Sequence, residues 1–169
     1  MENSLLSIQS KNRLMQSELE YLKSFRTIQS LLNTDQILFI KELNNSQLAV
    51  VTMVCCSKCG RFFYIYLINE SQCDKIGHCY TEICSLFEEH PHLHIDDTVI
   101  DFRYRNKKFG IMLIDNVIKY AKSIGTKKIY GEKSCFDTDT VEKERLWYHF
   151  WIEHFQCRET NKGFYMELL

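Results

Sequence analysis

A short basic segment, DFRYRNKKFGIML at positions 101–113, carries the residues best suited to bind an anion. Four cations stand within six positions there, just before a glycine: Arg103, Arg105, Lys107, Lys108 and then Gly110. Main-chain N–H groups at the start of a helix favour a bound anion, and a glycine lets such a ligand approach the backbone closely. The segment predicts either a phosphate-binding loop or a solvated turn, and the loop alone favours the two equally.

Two other groups of side chains could do metal or thiol chemistry. CCSKCG places Cys55 beside a C-x-x-C pair, Cys56 and Cys59, and HPHLH alternates three imidazoles: His90, His92 and His94. Tetrahedral zinc needs four converging ligands, and a second C-x-x-C at suitable spacing is missing, so we expect a hairpin turn and no metal. No helix begins at Cys56 to lower a thiol pKa, which disfavours disulfide redox chemistry. Cys135 has no histidine nearby in sequence and is interpreted as structural.

Composition bounds the class of protein. The chain has 169 residues, 45% hydrophobic and 13% aromatic, which fits one globular domain. A net charge of −1 argues against nucleic-acid binding, which needs a basic excess. No apolar run reaches the roughly 18 residues that span a bilayer, and the N-terminus lacks the pattern of a signal peptide. We therefore expect a soluble, cytoplasmic protein with reduced cysteines and neither a membrane nor a nucleic acid as partner.

Hydrophobic periodicity predicts the elements that must position the basic segment. Apolar residues at spacings of three and four predict an amphipathic helix, or two with a bend, from Lys11 to Leu32. Strands are predicted over residues 36–43, 47–56 and 61–69, the first two joined by a turn at Asn44–Ser46. The segment YTEICSLFEEH, at 80–90, predicts a short helix.

The second half of the chain reads as strand, basic loop, helix, strand, helix and hairpin. LHIDDTVID predicts the strand, and the clearest helix of the protein follows Gly110 and ends near Gly125. KKIYGEKS predicts the next strand, and Asp139 to Glu142 resembles a capping box that opens a last helix. FQCRE and GFYMELL predict a closing hairpin. The fold class is therefore mixed α/β with a central sheet, in a single domain over residues 1–169.

The segment VIDFRYRNKKFGIMLIDNVIKYAKSIGTKKIYGE resembles the acetyl-coenzyme-A-binding motif of the GNAT N-acetyltransferase superfamily. That motif has a strand, an R/Q-x-x-G-x-G/A loop, a long helix and a strand that splays away. Arg105 falls on its first position and Gly110 on its last, while Lys108 replaces the middle glycine. The resemblance covers residues 95–169.

The resemblance implies a GNAT-like fold, with a mostly antiparallel twisted sheet splayed at the cofactor site and helices on both faces. It implies direct acetyl transfer from acetyl-CoA to a primary amine of a small molecule or peptide, and a homodimer stays open. Main-chain groups of Val99 and Ile100 would pair with the pantetheine amides. The pyrophosphate would be held by the loop and the first helical turn: Arg105, Asn106, Lys107, Lys108, Phe109, Gly110 and Ile111.

The resemblance also implies a general base and an acid. A free alkylamine has a pKa of about 10, so a base must take its proton, and a carboxylate at the gap, acting directly or through water, is the usual one. Four carboxylates are candidates, with Glu132 and Asp97 preferred over Asp96 and Asp101. Phe150 falls where the family often carries a Tyr that protonates the departing thiolate, which leaves Tyr148, Tyr165 or solvent as the acid. Because phenylalanine cannot donate a proton, the alternative is a catalytically weak or inactive acyl-CoA-binding protein with a regulatory or assembly role.

Overall fold

The computed structural model describes residues 36–43, 47–69, 72–84, 91–133 and 140–168. Within these residues eight strands form one sheet, in the order β1-β2-β3-β4-β5-β6-β8-β7. The strands are Gln36–Glu42 (β1), Leu48–Cys55 (β2), Gly60–Ile68 (β3), Cys73–Cys84 (β4), His92–Ile100 (β5), Lys128–Glu132 (β6), Arg158–Glu159 (β7) and Gly163–Glu167 (β8). The predicted helix from Lys11 to Leu32 and the turn residues Asn44–Ser46 lie outside the described residues.

The first five strands form an antiparallel meander, and the three strands predicted in the first part of the chain are its β1 to β3. The β1–β2 hairpin is closed by a hydrogen bond of 2.7 Å from the Leu43 N–H to the Gln47 carbonyl. β2 and β3 pair in continuous register from Leu48 opposite Ile68 to Cys55 opposite Arg61. The mixed α/β class and the mostly antiparallel sheet are therefore confirmed.

The helix predicted for residues 80–90 is wrong as far as the structure describes it. Residues Tyr80–Cys84 belong to β4, which pairs with β3 on one side and with β5 on the other. Strand pairing on both edges outweighs the helical spacing of the apolar residues. The reason is that the backbone N–H and C=O groups of a central strand are hydrogen-bonded to the strands on both sides. Residues 85–90 lie outside the described residues.

The predicted helix after the basic segment is α1, Phe109–Ser123, and it connects the parallel strands β5 and β6. Its apolar row is buried against the sheet: Phe109, Leu113, Ile114, Val117 and Ala121. Gly125, at a φ of 77°, ends the helix. The Gly125 N–H donates to the Lys122 carbonyl and the Thr126 N–H to the Ala121 carbonyl, which together form a Schellman motif.

The last helix, α2, spans Val141–Tyr148 and passes directly into a π-helical turn, His149–His154. Its cap lies one residue later than predicted, because the Thr140 hydroxyl accepts the Lys143 N–H at 3.2 Å. Asp139 lies outside the described residues. Beyond the π turn, the predicted closing hairpin forms from β7 and β8.

The core joins the sheet to these helices. Trp151 of the π turn stacks on Phe164 of β8, with ring centroids 4.1 Å apart and planes inclined by 17°. Trp147 of α2 packs beside the same ring at 6.1 Å. No helix in the described ranges is both long enough and apolar enough to cross a membrane.

Candidate functional site

The sheet opens between β5 and β6. The two strands form only four parallel pairs, from His92 beside Lys128 to Ile95 beside Gly131. β5 then continues to Ile100 against β4 alone, while Glu132 of β6 pairs with Gly163 of β8. Past Ile95, β5 therefore presents an edge that no strand among the described residues covers, as the predicted splay requires.

A β-bulge lies where the opening begins. Thr81 of β4 faces Ile95, and the next residue, Tyr80, faces Asp97, so Asp96 is an extra residue on β5. Beyond the bulge the Thr98 hydroxyl turns towards the core and lies 3.4 Å from the Cys79 Sγ. The bulge thus places two successive carboxylates at the point of divergence.

A cavity of about 100 Å³ occupies this gap. Strand residues and helix aromatics line it together: Ile95, Asp96, Asp97, Thr98, Glu132, Trp147, Trp151 and Phe164. The predicted residues Asp97 and Glu132 thus meet at one cavity, although they come from different strands. Tyr148 is not one of the lining residues, and its side chain is exposed at the end of α2.

Main-chain geometry decides which groups of β5 face the gap. The Asp101 N–H donates to the Ile76 carbonyl at 2.9 Å. In an antiparallel ladder the orientation alternates, so Val99 bonds to its partner His78, and the N–H and C=O of Thr98 and Ile100 point to the open edge. The open edge therefore presents main-chain groups of Thr98 and Ile100 and not those of Val99, and of these groups the Ile100 carbonyl already accepts a hydrogen bond from Arg105.

The start of α1 is left open as the anion-binding hypothesis requires. Its N-cap, Lys108, has a φ of 64° and makes no side-chain capping bond. The first helical bond runs from the Met112 N–H to the Lys108 carbonyl, so the N–H groups of Phe109, Gly110 and Ile111 have no partner within the helix. Asn106 also has a positive φ, 61°, and such alternating backbone turns N–H groups towards a common point.

Gly110 is not dictated by packing within the protein. A β-carbon built there would lie 3.4 Å from the Phe150 Cε2 and 3.6 Å from the Ile100 Cγ1, which is ordinary van der Waals contact. An alanine would therefore fit the structure as it stands. The absent side chain leaves the backbone at the start of α1 accessible to a close approach, as the phosphate-binding prediction requires.

The four cationic side chains of the basic segment differ in the contacts that they make. Arg103 binds both carboxylate oxygens of Asp101, at 3.1 and 2.7 Å, and these bonds lower the pKa of Asp101 to about 2. The Arg105 Nε donates to the Ile100 carbonyl at 3.1 Å and so braces the loop against β5. Lys107 lies 5.5 Å from the centroid of the Tyr104 ring, and Lys108 is exposed. Positive charge at the helix start therefore comes mainly from the two lysines.

Two histidine–carboxylate pairs that involve cavity-lining aspartates escaped the sequence reasoning. The His94 Nδ1 lies 2.8 Å from the Asp96 Oδ1, and the His78 Nε2 lies 3.2 Å from the Asp97 Oδ2. The first pair could have been found from the strand spacing of the two residues. The second joins residues 19 positions apart on different strands, so it needs the register of β4 and β5.

The cysteine segment forms the tip of the β2–β3 hairpin, as predicted. Cys55, Cys56 and Cys59 are exposed free thiols there. Arg61 holds the tip by donating to the Ser57 and Gly60 carbonyls at 3.0 and 2.9 Å. Across the part of the chain that the structure describes, no three His, Cys, Asp or Glu side chains are grouped so as to hold a metal.

A splayed mixed sheet, with a cavity in the opening and an uncapped helix start beside it, defines a class of acyl-transfer fold. A sequence model of the acetyltransferase (GNAT) family matches residues 16–141, well over half of the chain. The chain therefore belongs to the GNAT acetyltransferase family. The match extends to the N-terminal region, beyond the predicted resemblance over residues 95–169.

Solved structures show weaker likeness. An acetyltransferase of the GNAT family from Staphylococcus aureus MU50 is 22% identical over 65% of this chain and 68% of that chain, with a TM-score of 0.48. An aminoglycoside acetyltransferase from an uncultured soil metagenomic sample, solved with sisomicin, is 12% identical over 75% and 78%, with a TM-score of 0.43. Glucosamine-6-phosphate N-acetyltransferase from Arabidopsis thaliana is 23% identical over 48% and 57%, with a TM-score of 0.39. No curated protein sequence matches the chain significantly.

Proposed function

We propose that this protein is an acetyl-CoA-dependent N-acetyltransferase that acts on a primary amine of a small molecule or peptide. The observation that carries the proposal is the open edge of β5, which runs from a cavity at Asp96–Thr98 to the uncapped start of α1. Membership of the GNAT family supports the same reaction class. A cytoplasmic location is part of the same proposal.

The chain offers each part of the donor a matching surface. Main-chain groups of Thr98 and Ile100 would pair with the pantetheine amides as an added strand does, although the Ile100 carbonyl already accepts one bond from Arg105. The N–H groups of Phe109, Gly110 and Ile111 would hold the pyrophosphate, with Lys107 and Lys108 adding charge. When bound, acetyl-CoA would supply the thioester that the amine attacks.

The carboxylates at the gap would draw in a cationic acceptor. Asp97 and Glu132 line the cavity, and both are exposed to solvent. Each was predicted as a general base, and that role stays a prediction, whereas the attraction of the ammonium group follows from the charge of either carboxylate. Asp101 is disfavoured as a base, because its bonds to Arg103 hold its pKa at about 2.

Neither Phe150 nor Tyr148 is well suited to give the departing thiolate a proton. Phe150 packs beside Gly110 and carries no hydroxyl, and Tyr148 is exposed on α2. Solvent is therefore our proposed proton source, and Tyr148→Phe should change kcat by less than about threefold. The same observation keeps a second function open, that of a coenzyme-binding protein without catalysis.

Two measurements test the proposal and separate these functions. Saturating acetyl-CoA should raise the melting temperature, since binding to the native state alone stabilises it. Free thiol release should then appear with at least one member of a panel of spermidine, tyramine, glucosamine 6-phosphate and a lysine-containing peptide. A thermal shift without thiol release would favour the binding protein, and an unchanged melting temperature would contradict both functions.

A further inference from the structure

His94 lies on β5 just before the gap, and its ring is not one of the side chains that line the cavity but contacts one of them, Asp96. Only one further residue of β5, Ile95, pairs with β6 before the two strands diverge. His94 itself lies beside Tyr130 of β6 and opposite Glu82 of β4. Asp96, which lines the cavity, lies 2.8 Å from its Nδ1. The side chain of His94 is 24% exposed, so the ring is partly shielded but still in contact with solvent.

The pairing fixes which ring nitrogen can take a proton. An ionised carboxylate only accepts hydrogen bonds, so the Nδ1 must carry the hydrogen that Asp96 receives. In the neutral ring, Nε2 then holds the lone pair. Within the described residues, the contact through Nδ1 is the one hydrogen bond found for this ring, which leaves Nε2 for an acceptor amine.

The other ionisable groups around His94 are committed elsewhere or lie on the far side of the gap. Glu82, its cross-strand neighbour on β4, accepts the Tyr80 hydroxyl at 2.7 Å, and this bond raises the pKa of Tyr80 to about 12. Tyr130 on β6 packs against the rings of His92 and Tyr165. Glu132 lies two residues further along β6, across the gap.

We infer that His94, oriented by Asp96, is the general base of the proposed acetyl transfer. Its Nε2 takes a proton from the acceptor ammonium, and the freed nitrogen lone pair attacks the thioester carbonyl carbon. The C–N bond forms and the C–S bond breaks with its electron pair going to sulfur. The attacking nitrogen loses its second proton, the thiolate becomes the thiol, and His94 returns the first proton to solvent. The inference rests on the proposed function.

An imidazole is better matched to this task than a lone carboxylate. A catalytic base works best when its pKa lies near the operating pH. Imidazole has an ordinary pKa of about 6.5, against about 4 for a carboxylate. In this account Asp97 and Glu132 attract the cation, Asp96 is a positioning residue, and His94 makes the proton transfer.

Two acceptors of different basicity make the decisive test. With the alkylamine from the panel that the wild type turns over best, His94→Gln should lower kcat by about 100-fold or more. With aniline, which is already neutral at neutral pH, the same variant should lose less than about tenfold. His92→Gln, the neighbouring histidine of the same strand, is the matched control and should stay within threefold of the wild type.

Asp96→Asn tests the positioning role. It should lower kcat for the alkylamine by about tenfold or more while leaving its KM nearly unchanged. Nitrogen-15 NMR should find the hydrogen on Nδ1 of His94 in the wild type and a mixture of ring tautomers in this variant. Asp96→Glu should restore part of the activity. Thermal melts of each variant show whether it remains folded.

Three results would overturn the inference. They are a His94→Gln kcat within threefold of the wild type, an equal loss with the alkylamine and aniline, or a hydrogen on Nε2 of His94 in the wild type. In each case the wild type still turns over the amine, so the proposed function stands. A wild type that turns over no amine would instead defeat the proposed function, and this inference with it.

Discussion

The two edges of β5 differ in how their backbone groups are used. Towards β4 the strand is paired along its whole length, from His92 opposite Cys84 to Ile100 opposite Gly77. Towards β6 it is paired only as far as Ile95. One edge therefore holds the sheet together, while the other presents the main-chain groups that would pair with the coenzyme in the proposed function. The difference teaches that the proposed binding surface arises where pairing between two neighbouring strands ends, without an added loop.

Proline substitutions at adjacent residues should separate the two edges most strongly. Val99→Pro removes an N–H that bonds to β4 and leaves a carbonyl of His78 without its partner, so we expect a loss of about 2 to 3 kcal/mol in the free energy of unfolding. Thr98→Pro removes an N–H at the open edge and should cost about 1 kcal/mol or less, because proline is tolerated where the N–H is unpaired. Urea denaturation measures both.

The variant that is less harmful to stability, Thr98→Pro, should be the more harmful one to coenzyme A binding. Thr98→Pro should weaken binding by tenfold or more, measured by isothermal titration, although it is the milder change for stability. Equal stability losses for the two variants would mean that the edges do not differ as described.

Gly110→Ala sharpens the comparison at the helix start. The added methyl group fits beside Phe150 and Ile100, so stability should be unchanged or rise by up to about 1 kcal/mol. Coenzyme A should bind about tenfold or more weakly if its pyrophosphate approaches this backbone.

Gly125→Ala at the other end of α1 is the matched control. Its φ of 77° strains any other residue, so we expect a loss of about 1 kcal/mol with coenzyme affinity retained. Unchanged affinity in Gly110→Ala would remove the glycine from the binding surface.

Glu132→Gln probes the far wall of the gap. Removing one negative charge from the cavity should raise the KM for the acceptor about fivefold while kcat changes little. The reason is that the carboxylate attracts the amine equally in the ground state and in the transition state. Glu167→Gln, on β8 away from the cavity, is the control. If turnover instead fell by about two orders of magnitude with KM unchanged, Glu132 would be the base.

The smallest effect should come from Asp101, which anchors the basic loop. Its folded pKa of about 2 lies below the ordinary value of 3.8, so its ionised form favours the folded state. That contribution is complete above about pH 4 and is lost as pH falls through about 2. Asp101→Asn should therefore have a lower melting temperature than the wild type at pH 6, and the gap should close near pH 2. A gap independent of pH would exclude the pairing with Arg103 as its cause.

Sequence reasoning recovered what depends on local pattern. The apolar row of α1 and its ending at Gly125 follow from spacing within 17 residues, and the structure shows both. The placing of Glu132 and Asp97 at one cavity followed from resemblance to a family whose sheet splays there.

What sequence reasoning missed depends on pairing between strands. The bulge at Asp96 shifts the alternation of β5 and is visible only in its register with β4. The same register turns Val99 away from the gap and brings His78 to Asp97. Tyr80–Cys84 was predicted as a helix because short apolar runs fit either period until their neighbours are known.

An NMR titration of the wild type with coenzyme A tests the central claim most directly. The backbone amides of Thr98, Ile100, Phe109, Gly110 and Ile111 should shift on saturation, while that of Val99, bonded to β4, should shift least. Saturating coenzyme A that leaves the amides of the open edge and the helix start unmoved, or moves Val99 as much as its neighbours, would contradict the account.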